Sequence, residues 1–398
     1  MNHIINRTHA GVSVRLIVDP RANPSYAGNE AILNAFRQAG IPMIVKAGGG
    51  IMHWKTMLFA GQSIVEFGSA NFAPPAFVPI APYTNYVAET VFFDDDPVIV
   101  NSFKRKFDDL WTDTSHYGSY ANVTARVRAY ALFDISPEMN FPPGQSYAGR
   151  VLALERAETS ALDIDMYRIS QQQHSDAIIA AHMRGVPIRY IGETREYRNA
   201  TRLWVAYNMD RLYHAGVPMR VRANAGENHE KVVLLHGQAV TVFGSSNFTS
   251  PSDNSQQEHN YFTHNNAIFL WFLDQFNRRW YNAAGYTETM PFVPSPPDTP
   301  KNLAVPNLAV GVPISGQQLV WHGGPWTIYY DVCLGTDPAA STRVASNLAL
   351  GPSLTTSQHQ HFVLPTLQPS TTYYWKIMSR TAASLSKTGA TWSFTTAP

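Results

Sequence analysis

The stretch His53-Trp54-Lys55-Thr56-Met57-Leu58-Phe59-Ala60-Gly61-Gln62-Ser63-Ile64-Val65-Glu66-Phe67-Gly68-Ser69-Ala70-Asn71-Phe72 has a second copy in the same chain. The copy reads His229-Glu230-Lys231, then Gly237-Gln238, then Phe243-Gly244-Ser245-Ser246-Asn247-Phe248. In both, the Gly-Ser pair begins 15 positions after the His. Upstream, Ala39-Gly40-Ile41-Pro42-Met43 recurs as Ala215-Gly216-Val217-Pro218-Met219. Downstream, Glu89 to Trp111 and Glu258 to Trp280 are both 22 apart. Five fixed positions agree by chance at on the order of one in a million starts, with each residue type at roughly 5% of usage. Finding them twice at equal spacing establishes an internal duplication.

The repeat reaches outward from there. Ala10-Gly11-Val12-Ser13-Val14-Arg15 matches Arg184-Gly185-Val186-Pro187-Ile188-Arg189. The second copy continues further back, through a helix from Ser175 to Arg184 and an alternating strand from Leu162 to Met166. Met1 already falls inside the helix matching Ser175–Arg184, so either the start is a fragment or the first half is naturally shortened at its N-terminus. Val12 to Val18, Met43 to Lys46, Trp54 to Phe59 and Ile64 to Phe67 read as strands. Glu30 to Gln38 and Pro97 to Trp111 read as helices, with Asp96 as N-cap and Pro97 in the first turn. This alternation predicts an α/β fold of two pseudo-symmetric sandwich halves, residues 1–137 and 138–290. A Pro-bearing stretch, Ser136 to Gly144, joins them.

Met290 to Pro300 holds five prolines, so residues 291–300 read as a stiff linker with few contacts across it. Beyond it the composition changes: residues 298–398 contain no Glu and are rich in Thr, Ser and aromatics. Strands at Gln318–Trp321, Thr327–Leu334, His361–Leu364, Tyr373–Ser379 and Thr391–Thr395 predict an all-β sandwich over 301–398.

Composition narrows the function. The 398 residues carry 30 Lys plus Arg and 29 Asp plus Glu, a net charge of +1. A strong whole-protein field for nucleic acid or anionic membrane is excluded, though a local basic cleft is not. The single cysteine, Cys333, excludes an intramolecular disulfide and a Cys-based zinc site within one chain, and reads as a small core residue. No apolar run approaches 18 residues, so no transmembrane helix is expected. Met1-Asn2-His3-Ile4-Ile5 shows neither a basic n-region nor an apolar h-region of a signal peptide.

The chemistry lies in the repeated block. A His and a Lys two apart on a strand share a face. Gly-Ser-x-Asn after the next strand makes a tight turn, where a hydroxyl and a carboxamide can approach a ligand. Two such halves about a pseudo-twofold axis would bring together His53, Lys55, Asn71, His229, Lys231 and Asn247. Two imidazoles suit a displacement that needs one nucleophile and one general acid. Two Lys and two Asn suit charge spread over phosphoryl oxygens. No carboxylate cluster is needed, so neither a metal nor a cofactor is implied.

On these residues the chain resembles the phospholipase D superfamily, whose signature is His-x-Lys-x4-Asp followed by Gly-Ser-x-Asn, once per half. The resemblance covers about residues 1–285. His53, Lys55, Ser69 and Asn71 match in the first half, and His229, Lys231, Ser245 and Asn247 in the second. It implies that Glu89 and Glu258 hydrogen-bond and orient the imidazoles, that His53 is the nucleophile and that His229 is the acid. The sequence itself does not break that symmetry. The departure is the Asp, replaced by Ala60 and His236; tyrosyl-DNA phosphodiesterases also lack it. His236 then reads as a tolerated replacement, and Asp163 and Asp165 as the polar face of a strand. The Pro-rich loop Pro74 to Pro82 either lines the cleft mouth or is only a rigid connection. Residues Pro369 to Lys376 and Trp392 to Thr396 resemble bacterial fibronectin type III domains.

The resemblance implies a phospholipase D-type phosphodiesterase acting through a phosphohistidine, with a phospholipid as the expected substrate. A nuclease of the same superfamily and an inactive scaffold with a binding β-domain are the alternatives. The fibronectin-like resemblance of the C-terminal region implies a secreted, cell-surface or periplasmic location, with surface or carbohydrate attachment through that domain.

Overall fold

The computed structural model describes residues 1–20, 28–73, 76–77, 86–349 and 359–398. The chain packs as two compact units, residues 1–166 with 225–278, and residues 167–224 with 279–398. The packing units cut through the second sequence copy, because its strands and helices are shared between them.

In the first unit, Leu16–Val18 pairs in parallel with Met43–Lys46, which pairs antiparallel with Tyr117–Ala121. Thr56–Phe59, Ile64–Gly68 and Val91–Asp94 form an antiparallel meander. The equivalent strands of the second copy, Lys231–Leu235, Val240–Gly244 and Asn260–Thr263, repeat that meander. Leu162–Met166 flanks the latter on one side and Met139–Asn140 on the other. Helix Pro97–Thr112 starts where expected, with the Asp96 carboxylate accepting from Val98 N at 2.8 Å.

The two meanders meet through a cluster of aromatic rings with approximate twofold symmetry. Phe67 and Phe243, the residues before each Gly-Ser, stack at 5.8 Å with planes 7° apart. Phe92 and Tyr261 occupy matching places on the next strands, against Phe67 and Phe243 respectively. Phe103 packs on Phe67 at 5.0 Å, as Phe272 packs on Phe243 at 4.8 Å. Aromatic contact of this kind helps to hold the copies in register.

In the second unit, Met219–Arg222 pairs in parallel with Ile188–Gly192 and antiparallel with Thr289–Pro291. The C-terminal region is all-β, as read. Lys301–Ala304, Gln318–His322 and His359–Val363 form one sheet. Ala309–Val312, Trp392–Thr396, Thr372–Arg380, Tyr329–Gly335 and Arg343–Ala349 form the other. Trp321, Trp375, Tyr330 and Phe394 fill the space between them, and Cys333 is buried.

Three expectations need correction. Val12–Arg15 lies outside the ladder, which begins at Leu16; the Arg15 guanidinium instead pairs with Asp108 and packs on Phe107 and Trp111. Asp163 and Asp165 are buried, not solvent-facing. Asp163 pairs with His236 at 2.8 Å, and Asp165 accepts from Asn228 at 2.7 Å. His236 therefore draws its carboxylate from the neighbouring strand. The Pro-rich linker is also not free of contacts. Tyr197 accepts from Ser295 N at 2.9 Å, Arg198 donates to the Ser295 carbonyl and lies over Trp326, and Ser379 donates to the Asp298 carbonyl at 2.9 Å.

Candidate active site

All ten singled-out residues belong to the first unit. The His-x-Lys segments sit just before their strands rather than inside them: the strands begin at Thr56 and Lys231. The segment before each strand pairs instead with the other copy. Met52 bridges to Gln257 and Ala88 to Asn228, both in parallel. His53 N donates to the Gln257 carbonyl at 3.0 Å, and His229 N to the Ala88 carbonyl at 2.9 Å. Each histidine is thereby laid beside the residue preceding the other copy's glutamate.

The consequence is a crossed arrangement. His53 Nδ1 lies 2.7 Å from Glu258 Oε2. His229 Nδ1 lies 2.9 Å from both oxygens of Glu89. Neither copy can orient its own imidazole; each needs the other's carboxylate. Side-chain exposure is 17% for His53 and 9% for His229, but 0% for Glu258 and 3% for Glu89. The carboxylates are sealed behind rings that still reach solvent. With Nδ1 engaged by Glu258, Nε2 is the His53 ring atom left for chemistry.

The Gly-Ser pairs fasten the glutamates. Ser69 Oγ donates to Glu89 Oε2 at 2.6 Å and accepts from Thr90 N at 2.8 Å. Ser245 Oγ donates to Glu258 Oε2 at 2.5 Å and accepts from His259 N at 3.0 Å. The hydroxyls expected to approach a ligand are thus turned to the carboxylates. The glycines follow from the same closeness. A Cβ on Gly68 would stand 2.1 Å from the Thr90 carbonyl oxygen, and one on Gly244 would stand 2.2 Å from that of His259.

Lys55 Nζ donates to the His53 carbonyl at 2.7 Å, and Lys231 Nζ to the His229 carbonyl. Burial pushes the His53 imidazole down; Glu258 pulls it back, while Lys55 and, from the other copy, Lys231 push it further down. Burial lowers the Lys55 ammonium to about 8 against the pull of Glu258 and Glu89. Burial raises the Glu89 carboxyl to about 8, opposed chiefly by Lys231 and the Ser69 hydrogen bond. These mutual influences place both lysines, both glutamates and His53 in one electrostatic neighbourhood. The carboxamides differ: Asn247 is buried, with an Oδ1 that has no hydrogen-bond partner among the described residues, whereas Asn71 is exposed.

Four neighbours escaped the sequence reading: Trp54, Thr90, Glu230 and His259. The Trp54 indole donates to the Glu258 carbonyl at 2.9 Å and meets the His259 ring edge-on at 6.0 Å. At the matching place in the other half, Thr90 Oγ1 donates to Glu230 Oε2 at 2.6 Å. Their repeat positions carried the signal, since each adjoins a motif residue. The loop Pro74 to Pro82 lies mostly outside the described residues.

Comparison with known proteins agrees with this architecture. The family model described as cardiolipin synthase, PLD-like domain, matches residues 1–111 and 152–280. The chain belongs to this phospholipase D-like family. It is 27% identical to the human mitochondrial cardiolipin hydrolase over 185 residues, covering 46% of this chain and 67% of that protein. The dog mitochondrial cardiolipin hydrolase is 26% identical over 37% of this chain and 57% of its own length. The matches therefore span between about half and two-thirds of those relatives. Among solved structures, the phospholipase D family member Nuc from Salmonella typhimurium aligns over 39% of this chain and 95% of its own. Its identity is 19% and the TM-score 0.34. A polyphosphate kinase from Porphyromonas gingivalis aligns over 69% of this chain and 42% of its own, at 14% identity and a TM-score of 0.47.

Proposed function

We propose that the protein is a metal-independent phosphodiesterase that works through a covalent phosphohistidine and acts on phospholipids. The crossed His–Glu pairs carry this reading. A carboxylate on Nδ1 of neutral His53 holds the proton there and leaves the Nε2 lone pair free to attack phosphorus. The bond from phosphorus to the leaving oxygen breaks as the Nε2–P bond forms, and His229 Nε2 gives its proton to that oxygen. His229 then takes a proton from water, whose oxygen attacks phosphorus and releases His53. Lys55, Lys231 and Asn247 supply positive charge and hydrogen bonds to the phosphoryl oxygens. For this cycle the two imidazoles must hold one proton between them.

A second observation favours lipid over nucleic acid. From Ser69 to Ala88 the chain carries no charged residue. Glu89 follows Asn71 by 18 positions, whereas Glu258 follows Asn247 by 11 across a polar stretch that includes Asp253. Directly after Asn71, Phe72 and Phe77 stack in parallel at 6.3 Å and are 57% and 46% exposed. Exposed rings beside a phosphate site suit a diester at a bilayer interface, where acyl chains adjoin the phosphate. Single-stranded nucleic acid calls for a cationic groove. Turnover of cardiolipin and phosphatidylcholine vesicles, measured beside single-stranded DNA with EDTA present, tests the reading. The expected result is lipid turnover undiminished by EDTA; DNA turnover alone, falling steeply with salt, would overturn the lipid assignment.

A further inference from the structure

The two histidines have equivalent hydrogen bonds to their carboxylates, and the duplication leaves their roles symmetric. The symmetry breaks one shell further out. Behind His53 and Glu258 stand neutral aromatic groups. Trp54 fills the place between His53 and Lys55, and His259 follows Glu258. The His259 ring is fully buried, accepts at Nε2 from Lys55 N at 3.3 Å, and packs between Trp54, Phe67 and Phe103. Behind His229 and Glu89 stands a second carboxylate. Glu230, between His229 and Lys231, is buried and takes the Thr90 hydroxyl at 2.6 Å. Thr90 N in turn donates to Ser69 Oγ, which donates to Glu89 Oε2. One chain of hydrogen bonds thus runs Glu230–Thr90–Ser69–Glu89–His229, with a carboxylate at one end and another just before the imidazole.

We propose that Glu230 is a positioning residue that, through Thr90, makes the His229–Glu89 pair the holder of the transferable proton and so fixes His229 as the acid and His53 as the nucleophile. The inference rests on the phosphodiesterase reading above. A buried carboxyl facing a second negative charge holds its proton more tightly, so a proton stays on the Glu89–His229 pair. Burial and the Glu230 charge both act on Glu89 in this direction. His229 with Glu89 then carries one proton more than His53 with Glu258. That proton goes to the leaving oxygen as the phosphorus–oxygen bond breaks. On the other side the places of Glu230 and Thr90 are taken by Trp54 and His259, neither of which is a carboxylate.

The test separates acid catalysis from folding by the leaving group. A 4-nitrophenyl diester leaves without help, whereas an alkyl diester needs a proton at its departing oxygen. Glu230→Gln and Thr90→Val are expected to slow the alkyl diester by about 10-fold or more while changing the 4-nitrophenyl diester by less than about twofold. Trp54→Phe, on the other side, should leave the ratio of the two rates unchanged. Equal slowing of both diesters by Glu230→Gln and Thr90→Val, with a lowered thermal melt, would mark a merely structural role and overturn the assignment. So would unchanged rates on both. A wild-type enzyme that turns over neither diester would instead overturn the phosphodiesterase reading, and this assignment with it.

Discussion

The His53 side and the His229 side of the site are copies at the imidazole and diverge immediately behind it. Each imidazole takes a glutamate from the other copy, each glutamate takes a serine, and each serine sits after a glycine that no side chain could replace. Beyond those contacts the copies part: Trp54 against Glu230, His259 against Thr90, exposed Asn71 against buried Asn247. The difference teaches where the chemistry constrains the chain. The residues that aim the imidazoles, and those that would touch a phosphoryl group in the proposed mechanism, are kept twice. The residues behind them differ, as the proposed two-step displacement requires.

Removing the glutamates one at a time tests that comparison most strongly. Glu258→Gln and Glu89→Gln are each expected to lower kcat/KM by about 100-fold, since each unaims one imidazole. Their leaving-group patterns should differ. Glu258→Gln should slow good and poor leaving groups alike, and Glu89→Gln mainly the poor ones. Identical patterns would mean that the two sides are interchangeable.

The pH profile sharpens the picture with a smaller effect. Lys55 is held down to about 8 by burial, so its charge is present below that pH and lost above it. kcat/KM, which reports the free enzyme, is expected to fall about 10-fold per unit well above pH 8. Stability should move the other way. Between about 8 and the ordinary lysine value of 10.5, the unfolded chain binds the extra proton, so this group adds stability as pH rises through that window. Lys55→Met should flatten the stability difference there while abolishing turnover.

The smallest effects belong to the two positions where the family's aspartate is replaced. His236→Ala should cost about 1–3 kcal/mol of stability, because it leaves Asp163 buried without that partner. Turnover per folded molecule should stay within about twofold, which a thermal melt paired with an activity assay would read. Ala60→Asp should change turnover less still.

Much of this was legible in the sequence because duplication writes each site residue twice. The repeated His, Lys, Ser and Asn, the strand–helix alternation and the capped helix at Pro97 came from spacing and residue type, while Glu89 and Glu258 entered the site through the family resemblance. The crossing of the glutamates did not. Spacing says that Glu89 follows His53 and Glu258 follows His229, and nothing local says that each serves the other's histidine. That pairing depends on parallel bridges between Met52 and Gln257 and between Ala88 and Asn228, contacts made only on folding. The burial of Asp163 was hidden for a related reason: its partner His236 lies 73 residues away, in the turn just after the adjoining strand Lys231–Leu235. Alternation predicts a polar face and cannot tell whether that face meets water or a histidine. The strands Lys301–Ala304, Ala309–Val312 and Ser386–Thr388 were missed because at three or four residues they are too short to show alternation and are defined by their partners.

The central claim is that one histidine forms a covalent bond to phosphorus and the other does not. Rapid quench of the enzyme during turnover of a phosphorus-labelled diester, followed by peptide mapping under alkaline conditions that preserve phosphohistidine, measures this directly. The account predicts label on His53 in the wild type, more label at steady state in His229→Ala with a 4-nitrophenyl diester, and none in His53→Ala. Label on His229, or full turnover by His53→Ala with no labelled histidine at all, would contradict it.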